Sequence, residues 1–455
     1  MSSNLLSTME QLNRLRQFRQ AVYHNGFTKR RDAQQELLDS LLLSPPVRSF
    51  PQLTLCPVFR RQWHSAYAAL NQGKQDTNWL RMYLTSLIPA NFGLRGVEVF
   101  PLDETAWPRP DAPTIEDRRY VHSATADVHG AGIVVGHSYS ILAWSAEPET
   151  SWVLPCSVER IESQEDAALV GARQVRHLGQ QRQAKETFDI VVADARYGNH
   201  RFLGAVKETP CGILVRLRTN RVLYRAPDPY SGLGRPCKHG ARFAFRESDS
   251  WGAPDQLVRL EDSRFGQVEL RLWHGLHAKQ DAETLFSVLR AQVHLERDKP
   301  PKPLWLGWMA PASKIDWPCD ELWRYYRRRA PLEQAIRYRK QALFWTGPQV
   351  ASVEASLRWT QLVTLAQWTL YLVREVVTDR PLPWQRQQVR LTPGRVQQGI
   401  GGLFVELGTP AVAPQRRGSP PGWPVGRRRR PRTRHRVVRK PRKQRKKSKK
   451  SKKRA

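Results

Sequence analysis

Three carboxylates stand where they could hold divalent cations: Asp103, Asp194 and Glu333. Asp103 follows the alternating segment Val97-Glu98-Val99-Phe100 and its continuation Pro101-Leu102, and Asp194 ends the nearly continuous apolar run 188–193. Neighbouring strand ends in a sheet lie ~5 Å apart, so two aspartates at such ends can converge. A glutamate from a helix packed on that sheet would complete a set of oxygen donors. Such a set suits Mg²⁺ or Mn²⁺ rather than zinc. Two ions ~3.5–4 Å apart can activate a hydroxyl and stabilise the leaving oxygen of an in-line phosphodiester displacement.

In a chain with 41 acids some triplet will always look suggestive, so the pattern around Glu333 decides the matter. Tyr326, Arg329, Glu333 and Lys340 spell Y-x2-R-x3-E-x6-K. Such intervals keep all four on one face of a helix. A glutamate flanked there by Arg, Tyr and Lys can bind metal while the bases hold phosphates.

The elements that must position these residues can be read from periodicity. Residues 1–95 form a helical N-terminal domain, with Leu12, Leu15, Phe18 and Val22 on one apolar face and Leu37, Leu38, Leu41 and Leu42 on another. Its basic residues Lys29, Arg30, Arg31, Arg60 and Arg61 leave two readings open: recognition of DNA ends, or a bundle that only supports the next domain. Residues 96–218 give strands near 97–100, 132–144 and 151–161, a helix at 165–180, a strand at 188–193, a short helix at 200–207 and a strand at 212–218. Three strands, helix, strand, helix, strand is a mixed α/β sheet of ribonuclease-H-like layout. Residues 219–303 hold short strand candidates separated by Gly, Pro, Asp and Ser, a β-rich insertion. Residues 304–378 return to the core, with helices expected over 321–343 and 353–377. Residues 379–455 read as a Pro/Gly-rich linker and a disordered basic tail.

The charge bears on the partner. There are 74 Lys and Arg against 41 Asp and Glu, a net charge of +33, and 21 of the bases fall in residues 416–455 without a single acid. An acidic polymer, most simply nucleic acid, is the expected partner. The tail, including Arg427, Arg428, Arg429 and Arg430, would supply sequence-independent phosphate attraction. The tail alone would also suit a ribosomal type of RNA-binding protein, but nothing in residues 97–345 calls for one. Five cysteines, with no C-x-x-C pair, support neither a disulfide framework nor a zinc knuckle. The N-terminus lacks signal-peptide features, and the apolar stretch 357–373 is broken by Thr and Gln, so it reads as a buried helix carrying a core stripe of Trp359, Trp368 and Tyr371. The expected location is cytoplasmic and nucleoid-associated, away from membranes.

At these motifs the chain resembles the DDE transposases of bacterial insertion sequences, in the group marked by a Tyr-Arg-Glu-Lys signature. Leu102-Asp103-Glu-Thr-Ala-Trp107-Pro108-Arg-Pro110 resembles that family's first-aspartate region, and Val191-Val-Ala-Asp194-Ala-Arg-Tyr197-Gly198 its second. The resemblance covers residues 97 to 345. It implies a ribonuclease-H-like core interrupted by a β insertion, two Mg²⁺ or Mn²⁺ ions on Asp103, Asp194 and Glu333, and phosphate contacts from Tyr326, Arg329 and Lys340. The implied partners are double-stranded DNA, both terminal inverted repeats and target, and a second copy of the chain on paired ends. Trp305 stands near the place where some members use a Trp to hold a flipped base, although a core Trp reads as well there. Ala330 stands where hairpin-forming members carry an aromatic, which leaves the excision route open. The alternative to an active transposase is a decayed or captured one that only binds DNA.

Overall fold

The structure is a computed structural model that describes residues 2–44, 46–89, 96–127, 130–147, 150–183, 187–230, 232, 234–294, 301–415, 426 and 431–439. The N-terminal part is helical, as its periodicity predicts: α1 (Ser2–Ala21), a π-helical turn (Val22–Gly26), α2 (Arg31–Leu43), a 3-10 turn (Phe50–Leu55), α3 (Trp63–Gln72) and α4 (Thr77–Ser86). Two very short strands, β1 (Phe27–Lys29) and β2 (Lys74–Gln75), tie its ends together.

The central sheet begins with β3 (Val97–Pro108), β4 (Arg119–Asp127), β5 (Gly130–Ser145) and β6 (Val153–Ile161). Helix α5 (Ala167–Arg182), β7 (Phe188–Ala193), α6 (His200–Val206) and β8 (Gly212–Leu217) follow. Strand β5 pairs antiparallel with β3 and β6, whereas β3–β7 and β7–β8 are parallel. The order β6-β5-β3-β7-β8 is thus a ribonuclease-H-like core. Strand β7 is apolar on both faces because both are covered. Its Val191 and Ala193 join the core shared with α5, and Ile190 and Val192 a second core on the other side.

Two strand expectations need correction. Strand β3 does not stop before Asp103 but continues through the polar residues Asp103, Glu104 and Thr105 to Pro108, because β5 goes on pairing with it there. Strand β4 escapes the sequence pattern. Its buried positions alternate cleanly with exposed Tyr120 and His122, but they hold Arg119 and Ser123 beside Val121, so apolar period two is hidden.

The insertion contributes β9 (Val222–Arg225), β10 (Arg242–Ala244), β11 (Gln256–Asp262), β12 (Gly266–Ala278) and β13 (Asp281–His294). These do not form a separate lobe. Strand β14 (Leu304–Met309) lies between β13 and β8, so insertion and core make one 12-stranded sheet.

The segment expected as one helix over 321–343 is two: α7 (Cys319–Arg327) and α8 (Ala330–Gln341). Pro331 explains the break. It has no N–H to give the carbonyl of Arg327, and its ring crowds that carbonyl. The junction is bridged by tighter bonds, Arg328 N–H to Tyr325 and Arg329 N–H to Tyr326, both at 3.1 Å. Helix α7 packs on β7, β11 and β12, whereas α8 packs on β3, β5 and β6.

The long α9 (Val353–Val373) joins the two halves of the molecule, packing against α1, α2, α3 and β6. The aromatic stripe on α9, Trp359, Trp368 and Tyr371, is core, and both indole N–H groups find carbonyls, on Trp345 and Pro155. Residues read as linker are folded: α10 (Pro393–Gly399) and α11 (Gly401–Leu407) bury Val396, Ile400 and Phe404 in the same core. Nor is the described part of the basic tail free, because 431–439 lies against the start of β4. The remainder of the tail, including Arg427 to Arg430, lies outside the described residues. Among the described residues no helix is long and apolar enough to cross a membrane.

Candidate active site

Register brings the two aspartates together. In the parallel pair β3–β7, Leu102 is opposite Ala193, so Asp103 and Asp194 occupy the next positions, where β7 ends and β3 continues. Adjacent strands lie ~4.8 Å apart. Asp194 opens a turn. Its carboxylate accepts from Arg196 N–H at 2.9 Å, and its carbonyl accepts from Tyr197 N–H at 3.1 Å. Gly198 completes that turn so close to β8 that a Cβ would lie 2.1 Å from the Arg216 carbonyl oxygen. Only glycine lets the Asp194 loop fold back this tightly.

Glu333 reaches the same place from α8. The Arg329 guanidinium donates one N–H to Asp103 at 3.1 Å and another to Glu333 at 2.8 Å. Arg329 therefore stands between two of the three acids. The helix break positions it, since Arg329 is the N-cap of α8 and Glu333 lies in that helix's first turn. Tyr326, on α7, is buried, with its hydroxyl close enough to Arg329 to feel its charge. Although the signature residues do not share one continuous helix, Tyr326, Arg329 and Glu333 still converge. Lys340 is half-buried in the last turn of α8, about 10 Å along the helix from Glu333.

The electrostatics reflect this crowding. Burial pushes the Asp103 carboxyl up to about 6; Arg329 and the Glu104 N–H oppose the shift, while Asp194 and Glu333 add to it. Burial also raises the Tyr326 hydroxyl above its ordinary value, against Arg329 and Arg216. Exposure grades across the site, with the Asp103 side chain 18% exposed and that of Glu333 64%. The acids thus run from a mostly buried Asp103 to a solvent-facing Glu333.

Several contributing residues are not evident in the sequence. Glu104 pairs with Arg196 and lies 4.0 Å from Arg119, adding a fourth carboxylate and two cations beside the aspartates. The Tyr197 ring is buried against Gly171 of α5, where a Cβ would meet it at 2.5 Å. Its hydroxyl lies 3.2 Å from that of Ser140, which donates to Gln174 at 2.6 Å. This chain of contacts fixes the Asp194 turn against α5 and β5. The adjacency of Glu104 to Asp103 was the one signal available for any of these.

Trp305 requires correction. It is 1% exposed and stacks on Phe245 with ring centroids 4.1 Å apart, in a cluster with Trp251 and Trp273. As placed it is a core residue with no face open to a base. Two arginines considered for DNA, Arg60 and Arg61, are also committed internally, both pairing with the buried Glu36.

A family model described as DDE superfamily endonuclease matches residues 22–279, more than half of the chain. The chain belongs to the DDE superfamily of endonucleases. The match includes Asp103 and Asp194 and ends before Glu333, so the third acid rests on its geometry. A comparison with curated proteins finds no match. At the level of this superfamily the chain is a transposase-like nuclease, its substrate is DNA, and enzymes of its kind use divalent metals such as Mg²⁺. Among the described residues no group of three or more His, Cys, Asp or Glu side chains is placed to hold a metal ion. The donor set nevertheless fits a hard divalent ion. Three carboxylates are close enough to disturb one another, and a single guanidinium stands where cationic charge is needed.

Proposed function

We propose that this endonuclease is the DNA transposase of an insertion sequence, cutting at the element's ends and joining them to target DNA. The supporting observation is the adjacency of Asp103 and Asp194 in paired strands, with Arg329 linking Asp103 to Glu333. Asp103, Asp194 and Glu333 would hold two Mg²⁺ or Mn²⁺ ions. Bound there, the ions would activate the attacking hydroxyl and stabilise the leaving oxygen.

The protein's own part is to position and to neutralise. In the absence of metal and DNA, Arg329 balances two acids. With the acids holding cations, the Arg329 guanidinium would be free to grip a phosphate of the bound strand with two parallel N–H groups. Tyr326 steers Arg329, and Lys340 holds the backbone farther along α8. Water attacks the phosphodiester at the element end and leaves a 3′-hydroxyl. That hydroxyl then attacks a target phosphodiester, and its proton passes to solvent. Each displacement exchanges one P–O bond for another, so no protein nucleophile is required. The enzyme would work as a homodimer on paired ends, associated with the nucleoid.

The test is incubation of the purified chain with a duplex carrying the element's end, in Mg²⁺, followed by strand-resolved analysis. Nicks at the end and joined products are expected. A protein that binds the duplex and never cuts it would overturn the proposal.

A further inference from the structure

A short stretch of the C-terminal region is held in place although its composition would leave it free. The Val438 N–H donates to the Arg118 carbonyl and the His435 N–H to that of Pro113, both at 2.7 Å. Arg119 and Val438 form a parallel bridge, and the Arg118 guanidinium reaches the His435 carbonyl at 3.3 Å. The platform is rigid. Arg118 is itself tied to the Arg109 and Pro110 carbonyls, His137 to the Glu116 carbonyl, and Asp117 to Arg160. His435 and Val437 are half-buried, whereas Arg434, Arg436 and Val438 face solvent, the alternation of an added strand.

The contacts holding this strap are those backbone bonds, and its charges are left over. Arg432, Arg434, Arg436 and Arg439 are exposed, and none has an ion-pair partner among the described residues. Arginines nearer the acids behave differently: Arg160 of β6 pairs with Asp117, and Arg196 of the turn after β7 pairs with Glu104. Four unpaired guanidinium groups on a fixed backbone suit a polyanion with regularly spaced charge.

The strap also lies within reach of the catalytic acids. Arg119 is opposite Gly136 of β5, which on its other edge faces Pro108 of β3, five residues beyond Asp103. Three strand spacings across and five residues along place the strap roughly 22 Å from the acids. That span corresponds to about six base pairs at 3.4 Å each. Arg119 and Arg196, both beside Glu104, lie between.

We propose that residues 431–439 are one wall of the DNA-binding surface, with Arg432, Arg434, Arg436 and Arg439 gripping phosphates of the duplex that flanks the cut. This rests on the reading of Asp103, Asp194 and Glu333 as the cutting site. The tail is then more than a loose electrostatic tether, because part of it has a fixed address on the nuclease.

The experiment uses the full chain, an element-end duplex and hydroxyl-radical footprinting, with three variants. In the first, all four arginines become alanine. In the second, Val438→Pro removes the N–H that latches the strap while keeping every charge. The third lacks residues 440–455. The quadruple variant should bind with a log K against log salt slope shallower by about 3–4, one unit per lost phosphate contact. Val438→Pro should lose the protected patch about six base pairs from the cut while the footprint at the cut remains. The 440–455 deletion should weaken binding yet retain that patch. The proposal is overturned if Val438→Pro and the quadruple variant footprint like wild type, or if either cuts faster, which would make the strap a lid. Wild-type protein that shows the patch but never cuts would count against the nuclease reading and leave the strap intact.

Discussion

Two clusters of carboxylates and guanidinium groups in this chain are built from the same chemistry in opposite proportions. In the N-terminal domain, the fully buried Glu36 accepts from two arginines, Arg60 and Arg61, which continue to the carbonyls of Ala411 and Val412. One helical turn on, Asp39 forms a two-pronged pair with Arg19, which also donates to the Gly408 carbonyl. These groups are closed: cations match or outnumber acids, and spare N–H groups staple the 408–412 segment to α2. Where β7 ends beside β3 the proportion is reversed. Asp103 and Glu333 share Arg329, Asp194 lies beside Asp103 on the neighbouring strand, and burial raises the Asp103 carboxyl to about 6. A closed cluster stabilises the fold, whereas an acid-rich one at the surface can take up cations. Net charge alone could not separate them, since both occur in a strongly basic protein.

The comparison can be broken most forcefully at the acid-rich site. Asp103→Asn or Glu333→Gln should lower Mg²⁺-dependent cutting by about 10³-fold or more, with circular dichroism and melting temperature close to wild type. The closed cluster should behave the other way. Glu36→Gln leaves two guanidinium groups without their buried partner and should cost about 3–5 kcal/mol of stability, read by urea denaturation. Cutting per folded molecule should then be unchanged. If Glu36→Gln abolished cutting in folded protein, the division between the two clusters would be wrong.

Titration sharpens the contrast. Folded Asp103 keeps its proton up to about 6, whereas the unfolded chain releases it near 3.8. Protons are bound by the folded state in that window, so metal-free protein should lose stability as pH rises through it. Cation binding needs the ionised form. At subsaturating Mg²⁺ the cutting rate should therefore fall about tenfold per pH unit below 6 and level off above. A flat profile from pH 5 to 8 would remove Asp103 from the cation site. The smallest effect expected is that of Tyr197→Phe, which takes a hydroxyl from the Ser140–Gln174 chain. It should cost about 1 kcal/mol and slow cutting only a few-fold.

The parts of this fold that were legible in the sequence are those where one physical cause dominates. Strand β7 is nearly all apolar because it is covered on both faces, its one charge, Asp189, being buried against Arg182, and α2 and α9 show their buried stripes directly. The converging aspartates were legible because each follows an apolar strand segment, although only β7 ends there. Other features depend on partners far away in the chain. That β3 runs past Asp103 follows from β5, not from its own polar residues. Strand β4 buries Arg119 and Ser123, which satisfy themselves with groups that appear only on folding. Pro331 did announce a break in the signature helix, yet the face-sharing pattern was strong enough to hide it. Arg60 and Arg61 looked available to DNA because their partner Glu36 lies 24 and 25 residues earlier, on α2. The docked strap at 431–439 was hidden for a simpler reason. It is held by backbone groups, and composition says nothing about those.

The most direct test of the central claim is one reaction read strand by strand: element-end duplex, Mg²⁺, and either wild-type protein or Asp103→Asn. The account predicts nicks at the element end and strand-joined products with wild type, and intact duplex, still bound, with the variant. Cutting by Asp103→Asn at the wild-type rate would contradict it.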